Sequence, residues 1–474
     1  MLFRLIADPG LAQYAYLVGC QRTGEALVVD PERDVDRYVA AAAAEGLTVT
    51  HVAETHIHAD FLSGAAALAT ETGARLFLSA EGEAAGWGSR WAQGRADVTF
   101  LRDGDTFGVG RIQVRAVHTP GHTPEHLAFL VTDAGADEPM GLLSGDVVFV
   151  GDLGRPDLLE SAAGQAGAQE PAARQLYASV HRFLALGDHV QVWPGHGAGS
   201  ACGRALGAVP QTTVGYERRF NGSIEAARHG EAAFVAAILD GQPEPPLYFA
   251  RMKRQNRDGV PPLDALPTPR PLADLADLPR GAVVVDTRPD RAAFMAAHLP
   301  GALYAPFGAS FASVVGSYVS DTETPLVLVV PEADIEEAVR RLVRIGLDRV
   351  VATVTPEALA SYVAAGGATA SIPTVGFDAV RDRPARAAVL DVRGAAEHRS
   401  GHVPGATNIA HTRLADRLGE VPAGRPLYVH CQSGVRAAAA SAFLAARGLD
   451  VVYVRDGFPR DRESAGRAEV DVPA

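Results

Sequence analysis

The 474-residue sequence predicts an α/β fold class built in more than one unit, and three observations carry that expectation. Short apolar runs alternate with Ala-rich amphipathic stretches from the start of the chain. One strand-and-helix unit then recurs in the C-terminal half. Polar residues cluster in Gly- and Pro-flanked turns where apolar runs end, as they do at the strand ends of α/β proteins.

Taken in order, Ala26 to Asp30 is a short apolar strand, Val35 to Glu45 a helix, and Val49 to Thr55 a second strand leading into a His-rich loop. Residues Leu158 to Arg174, crowded with Gly, Ala, Gln and Glu, predict an exposed loop or ragged helix start before a helix over Gln175 to Leu186. From Arg257 to Pro271 the prolines stiffen and extend the backbone, which places a linker there. Beyond it, Val283-Val284-Val285-Asp286-Thr287-Arg288 and Ala297-His298-Leu299-Pro300-Gly301-Ala302 are echoed by Val389-Leu390-Asp391-Val392-Arg393 and Gly401-His402-Val403-Pro404-Gly405-Ala406. Each copy adds a strand (Pro325 to Val330, Pro426 to His430), a helix and a Gly-Leu-Asp turn, so two copies of one α/β unit follow the first domain.

At about 150 residues per domain the length predicts about three domains. Hydrophobic residues at 47% and charged residues at 21% are ordinary globular composition. A net charge of −13 leaves no basic stripe for phosphates, which argues against a nucleic-acid partner and towards small-molecule chemistry. No run of 18 apolar residues exists, so no membrane partner is expected, and three widely spaced cysteines (Cys20, Cys202, Cys431) suit a reducing cytoplasm rather than a disulfide framework. Self-association into a homo-oligomer is left open.

Thr55-His56-Ile57-His58-Ala59-Asp60 follows a predicted strand, so alternate side chains project from one loop. His122, Asp146 and His196 each lie in a Gly- or Pro-flanked turn. Neutral imidazole and carboxylate suit borderline divalent metals, and glycines permit the turns that bring loop ligands together. Any one of these histidines is more often a turn-capping residue; together they predict a metal site. His118 and His126 are explained equally well as structural.

The His-x-His-x-Asp motif with later His, Asp and His resembles the metallo-β-lactamase superfamily over residues 1–255, which implies an αββα sandwich. Phe61 stands where that family has a second metal-ligating His, which favours one metal over two. Glu54 to Gly64, Gly121-His122-Thr123-Pro124 and Gly154-Arg155-Pro156-Asp157-Leu158 resemble persulfide dioxygenases. That resemblance implies one Fe(II) per chain on His56, His122 and Asp146, with three positions open for a persulfide and O2. It places His58, Asp60 and His196 in an outer shell, with zinc as the alternative metal. Thr212 to Asn221 resembles the stretch where thiol substrates are held, making Tyr216, Arg218 and Arg219 candidate substrate contacts. A surface helix with solvated arginines explains them as well.

Cys431-Gln432-Ser433-Gly434-Val435-Arg436 sits between a strand and a helix. Its successive N–H groups, with Gly434 giving conformational freedom, form an anion nest that favours a thiolate, and Arg436 adds a cation. Buried cysteine is commonly only a small hydrophobe. Here Cys-x-x-Gly-x-Arg, preceded by Asp391-x-Arg393 and Gly401 to Ala406, resembles the rhodanese sulfurtransferases over residues 371–474. Phosphatases with this arrangement have a longer loop. Residues 271–370, after a linker at 256–270, resemble a rhodanese-like domain in which Val330 replaces the cysteine and Pro331-Glu332-Ala333-Asp334 the open loop. A structural or docking role follows for that copy.

The resemblances together imply a persulfide dioxygenase-rhodanese fusion acting in sulfide detoxification on a small-molecule thiol persulfide, O2, sulfite and thiosulfate. The alternatives are a zinc-dependent glyoxalase-II-like thioester hydrolase and a sulfur carrier whose metal domain is inactive.

Overall fold

The structure, a computed structural model, describes residues 1–423 and 425–458. Its contacts divide it into two compact units, Met1–Gln242 with Phe249–Asp264, and Pro243–Tyr248 with the chain from Ala265 onward. The division falls at Asp264/Ala265, inside the Pro-rich stretch read as a linker. The Arg33 guanidinium donates to the carbonyls of Pro261 and Pro262, which keeps the start of that stretch on the first unit.

The first unit has two six-stranded sheets. One runs in sequence order through Leu2–Asp8, Gln13–Cys20, Glu25–Val29, Thr48–Ala53, Arg75–Ser79 and Val98–Leu101. The other runs Thr212–Thr213, Gln191–Pro194, Gly141–Gly145, Leu127–Thr132, Ile112–His118 and Thr106–Val109. Alternation along Glu25–Val29 shows why both faces of that strand are apolar. Ala26 and Val28 meet the helices Asp36–Ala44 and Ala65–Thr72 through Tyr38, Ala42 and Leu68. Leu27 and Val29 face the other sheet through Val114, Phe129, Leu143 and Trp193. The outer face of the second sheet is covered by Leu176, Val180 and Phe183 of the helix Gln169–Leu184 together with Ile224 and Phe234. The layers are therefore αββα.

The helix expected over Gln175 to Leu186 starts six residues earlier, at Gln169. Ala172 and Ala173 are buried on it, so tertiary packing overrides the loop-like local composition. A further short helix, Leu158–Ser161, is pinned by the buried Leu158 and Leu159.

Among the described residues the second unit holds two five-stranded sheets, and every strand pair in them is parallel. Their orders correspond strand for strand. The first is Arg270–Pro271, Val350–Val354, Leu326–Val329, Val283–Asp286, Leu303–Tyr304; the second is Thr374–Val375, Val451–Val454, Leu427–His430, Ala388–Asp391, Thr407–Asn408. Each Asp-x-Arg pair has the same task. Arg288 is bidentate on Asp286 and reaches the Ala297 carbonyl, and Arg393 is bidentate on Asp391 and reaches the Gly401 carbonyl. Both arginines thus tie a strand end to the His-x-Pro-Gly-Ala turn. Asp286 pairs with Val329 and Asp391 with His430, so the residues that come next, Val330 and Cys431, occupy equivalent places.

Candidate functional site

The strand Thr48–Ala53 ends by releasing the chain into residues 54–63, and the strand Gly141–Gly145 ends at Asp146. These ends bring His56, His122 and Asp146 together, with one potential ligand atom of each within 4.8 Å of the others. Asp146 Oδ2 is 3.8 Å from His56 Nε2, 3.5 Å from His122 Nε2 and 3.5 Å from His196 Nε2. Gly195 is required beside it, because a Cβ there would stand 2.5 Å from Asp146 Oδ1.

Hydrogen bonds set the histidine tautomers. The Thr55 hydroxyl donates to Asp30 Oδ2 at 2.8 Å, so its oxygen must accept from His56 Nδ1–H at 2.9 Å. His122 Nδ1–H donates to the Arg155 carbonyl at 3.0 Å, and His196 Nδ1–H to the Ala12 carbonyl at 3.2 Å. Each ring therefore presents an Nε2 lone pair to the centre. Burial holds His56 and His122 well below the usual histidine range, and it also lowers His196. Burial pushes Asp146 up to about 6 and Asp60 up to about 6. Both Asp146 oxygens and His122 Nε2 are buried without a hydrogen-bond partner. A divalent cation would satisfy all of these atoms at once.

His58 packs against His56, ring centroids 4.2 Å apart, but turns its Nε2 to two carboxylates. Its Nε2 is 3.1 Å from Glu54 Oε2 and 3.3 Å from Asp30 Oδ1. Burial opposes its charge, but the two carboxylates prevail and raise it well above the usual histidine range. Asp30, Glu54 and His58 offer ligand atoms within 4.8 Å of one another. The fully buried Phe61 ring packs 4.3 Å from the His58 ring, and Asn256 fixes the loop by donating to the carbonyls of His58 and Phe61. Asp60 gathers instead with His196 and Cys202, with His196 Nε2 3.5 Å from Asp60 Oδ2.

Several contributors were given no site role by the sequence, although Arg155 and Asp157 lie in a motif it singled out. Arg155 is buried, makes two 2.7 Å bonds to Asp157 and donates to the Ala201 carbonyl, which secures the carbonyl that orients His122. His126 accepts the Asp146 amide at its Nε2, so it positions the carboxylate without ligating. Lys253 is fully buried with Nζ unpartnered, in the field of Glu125, Cys202, Asp146 and Asp60. A cavity of about 240 Å³ beside His56 is lined by Glu54, Glu125, Arg95 and Asn256.

The helix Val214–Phe220 carries the residues read as substrate contacts. Arg218 donates to the carbonyls of Leu184 and Leu186 and pairs with Asp188 at 3.2 Å, so its guanidinium is committed to the protein's own groups. Arg219 lies over the Phe220 ring, and Tyr216 is exposed.

At the second centre Cys431 follows the strand Leu427–His430 and is fully buried. Gly434 has φ +79°, the left-handed conformation that reverses the loop into the helix Val435–Ala445. The Ala437 amide donates to Cys431 Sγ at 3.4 Å, and no protein acceptor takes the N–H groups of Ser433, Gly434, Val435 or Arg436 among the described residues. Gln432 ties the loop outward, its carbonyl accepting from the Phe458 amide. Arg436 is bonded through both terminal nitrogens to Glu397. In the preceding copy Val330 is buried, and Glu332–Asp334 form a 3-10 turn where the open loop would be.

An αββα sandwich with a His/Asp cluster at its strand ends is joined in this chain to a parallel-sheet unit with a cysteine loop. The sequence model of the metallo-beta-lactamase superfamily matches residues 8–202, and that of the rhodanese-like domain residues 377–461. A hydroxyacylglutathione hydrolase of Rhodospirillum rubrum is 31% identical over 243 residues, covering 51% of this chain and 80% of the relative. The mitochondrial persulfide dioxygenase ETHE1 of Bos taurus is 27% identical over 199 residues, covering 41% and 68%. The crystal structure of a metallo-beta-lactamase from Staphylococcus aureus superposes with TM-score 0.67 and 37% identity, over 75% of this chain and 99% of that one. The chain belongs to the metallo-β-lactamase superfamily and carries a rhodanese-like domain. It spans between 50% and 80% of the length of the curated relatives it matches first. Among the described residues no helix is long and apolar enough to cross a membrane.

Proposed function

We propose that the protein is a persulfide dioxygenase coupled to rhodanese sulfur transfer, converting a low-molecular-weight thiol persulfide, O2 and water to thiol and sulfite. The observation that carries this reading is the pairing of two imidazoles, each fixed with Nε2 free, with one otherwise unpartnered buried carboxylate: His56, His122 and Asp146. Iron(II) held there would supply the redox chemistry that brings O2 and a persulfide together. The chain's own part is to keep the histidine tautomers fixed through Thr55 and Arg155, to hold His58 as a charge, and to place Lys253 near an anionic substrate. Phe61 supports a single metal, since a phenyl ring offers no ligand beside Asp60.

At the rhodanese loop the Cys431 thiolate attacks the outer sulfur of thiosulfate or a persulfide. A new S–S bond forms, the donor's S–S bond breaks, and sulfite or thiolate leaves with the electron pair. The unclaimed N–H groups of the loop receive the anion. The Cys-less copy has no nucleophile at Val330 and serves as a structural or docking element. Three free cysteines fit a reducing cytoplasm.

A zinc thioester hydrolase is favoured by one observation, His196 Nε2 standing 3.5 Å from both Asp60 and Asp146, which offers ligands for a second cation. Metal analysis of protein purified without added metal, with oxygen uptake and sulfite formation on a persulfide panel, separates the two. Iron with oxygen uptake is expected. Zinc, no oxygen consumption and thioester hydrolysis would overturn the dioxygenase. Retained oxygen uptake in Cys431→Ala separates it from a pure sulfur carrier.

A further inference from the structure

The Cys-less copy reaches the sulfur site. Asp290 caps the helix Arg291–Ala296 by accepting from the amides of Ala292 and Ala293, which fixes where Arg291 begins. Arg291 Nη1 then donates to the Ser433 carbonyl at 3.3 Å and to the Tyr453 hydroxyl oxygen at 3.2 Å. That hydroxyl in turn donates to the Gly434 carbonyl at 3.1 Å. The contact is close: a Cβ on Gly434 would stand 2.3 Å from the Arg455 carbonyl and 2.9 Å from Arg291 Nη1.

The geometry matters because a trans peptide is planar, with its C=O and N–H pointing in opposite directions. Pinning the Ser433 carbonyl behind the loop aims the Gly434 N–H to the front. Pinning the Gly434 carbonyl does the same for the Val435 N–H. These N–H groups are without a protein acceptor among the described residues, as a nest for a transferred anion must be. We propose that Arg291 is a positioning residue for sulfur transfer at Cys431, and that through it the Cys-less copy sets the aim of the loop's N–H groups. The inference rests on the sulfur-transfer reading above.

Arg291 also lines an open cavity of about 850 Å³ with Met295, Ile372, Tyr453 and Arg455, so water can enter where its side chain is removed. The test uses the full-length protein, with thiosulfate as donor and cyanide as acceptor. Active sites are counted as sulfite released in the first turnover. Arg291→Ala should lower kcat per loaded site about tenfold, the effect of losing one charge-assisted hydrogen bond, with little change in thiosulfate KM. Arg291→Lys should recover most of the loss, and Tyr453→Phe should fall between wild type and Arg291→Ala. An unchanged kcat per loaded site in Arg291→Ala, or a loss accounted for wholly by fewer loaded sites, overturns the inference while leaving the sulfur-transfer reading standing. Wild type that releases no more sulfite than Cys431→Ser overturns that reading itself.

Discussion

Glu397 and Arg436 form a two-point ion pair, with Arg436 Nη1 2.6 Å from Glu397 Oε2 and Nη2 2.8 Å from Oε1. Burial opposes ionisation of Glu397, but Arg436 prevails and holds it below the usual carboxylate range. The arginine expected to lend its charge to the cysteine loop therefore arrives with that charge largely balanced. Glu397→Gln should release it and speed iodoacetamide alkylation of Cys431 at neutral pH about threefold, whereas Arg436→Met should slow it by a similar factor. Equal rates in all three proteins would show that the sulfur does not feel the guanidinium.

Removing the metal should give the first unit a new pH dependence. Burial holds Asp146 and Asp60 at about 6, above their unfolded value of 3.8. A carboxyl with a raised folded value costs nothing below its unfolded value. The cost grows as pH rises, and reaches about 3 kcal/mol for each group above its folded value. Calorimetry of chelated protein should show Tm falling between about pH 4 and about pH 6, and restored metal should flatten that slope. Identical slopes with and without metal would refute a cation on Asp146.

Asp157→Asn should act at a distance. Burial disfavours its charge, yet Arg155 holds it below the usual 3.8. The stability this pair supplies is complete above that value and lost as pH falls through the lower folded one. The substitution leaves a buried guanidinium without its partner, at a cost of about 3 kcal/mol. Because the Arg155 carbonyl orients His122, metal affinity should also drop about tenfold. Competition with a chromogenic chelator reads that loss, and unchanged affinity would confine Asp157 to the fold.

Lys253→Met should separate stability from binding. The buried ammonium has no hydrogen-bond acceptor, so an isosteric thioether should leave Tm unchanged or raise it. An anionic persulfide would lose its nearby cation, and its KM should rise about tenfold. Oxygen-uptake kinetics decide it: an unaltered KM removes Lys253 from substrate binding.

What was legible in the sequence follows from range. His56 to Asp60 and Cys431 to Arg436 are contiguous, and the Asp286/Asp391 repeat is periodic, so their spacing alone places them at strand ends. Asp30, Lys253, Glu397 and Arg291 reach the sites only through tertiary packing, from positions whose neighbours are unremarkable in spacing or type, and Arg155, although its motif stands out, shows its part in orienting His122 only in the fold. The early start of the helix at Gln169 was hidden for the same reason. Its alanines look loop-like until the second sheet covers them. Arg218 shows the converse, a residue offered by its motif and claimed by the carbonyls of Leu184 and Leu186.

The burial that holds the two rings below the usual histidine range also bears on the proton count of metal uptake. Because His56 and His122 are already neutral, neither has a proton to surrender when a cation arrives. Only Asp146 does, and only near or below pH 6. Titration calorimetry in buffers of different ionisation enthalpy should therefore find almost no proton release at neutral pH and an approach to one proton per cation in acid. A centre wired in this way fills at neutral pH without acidifying its surroundings.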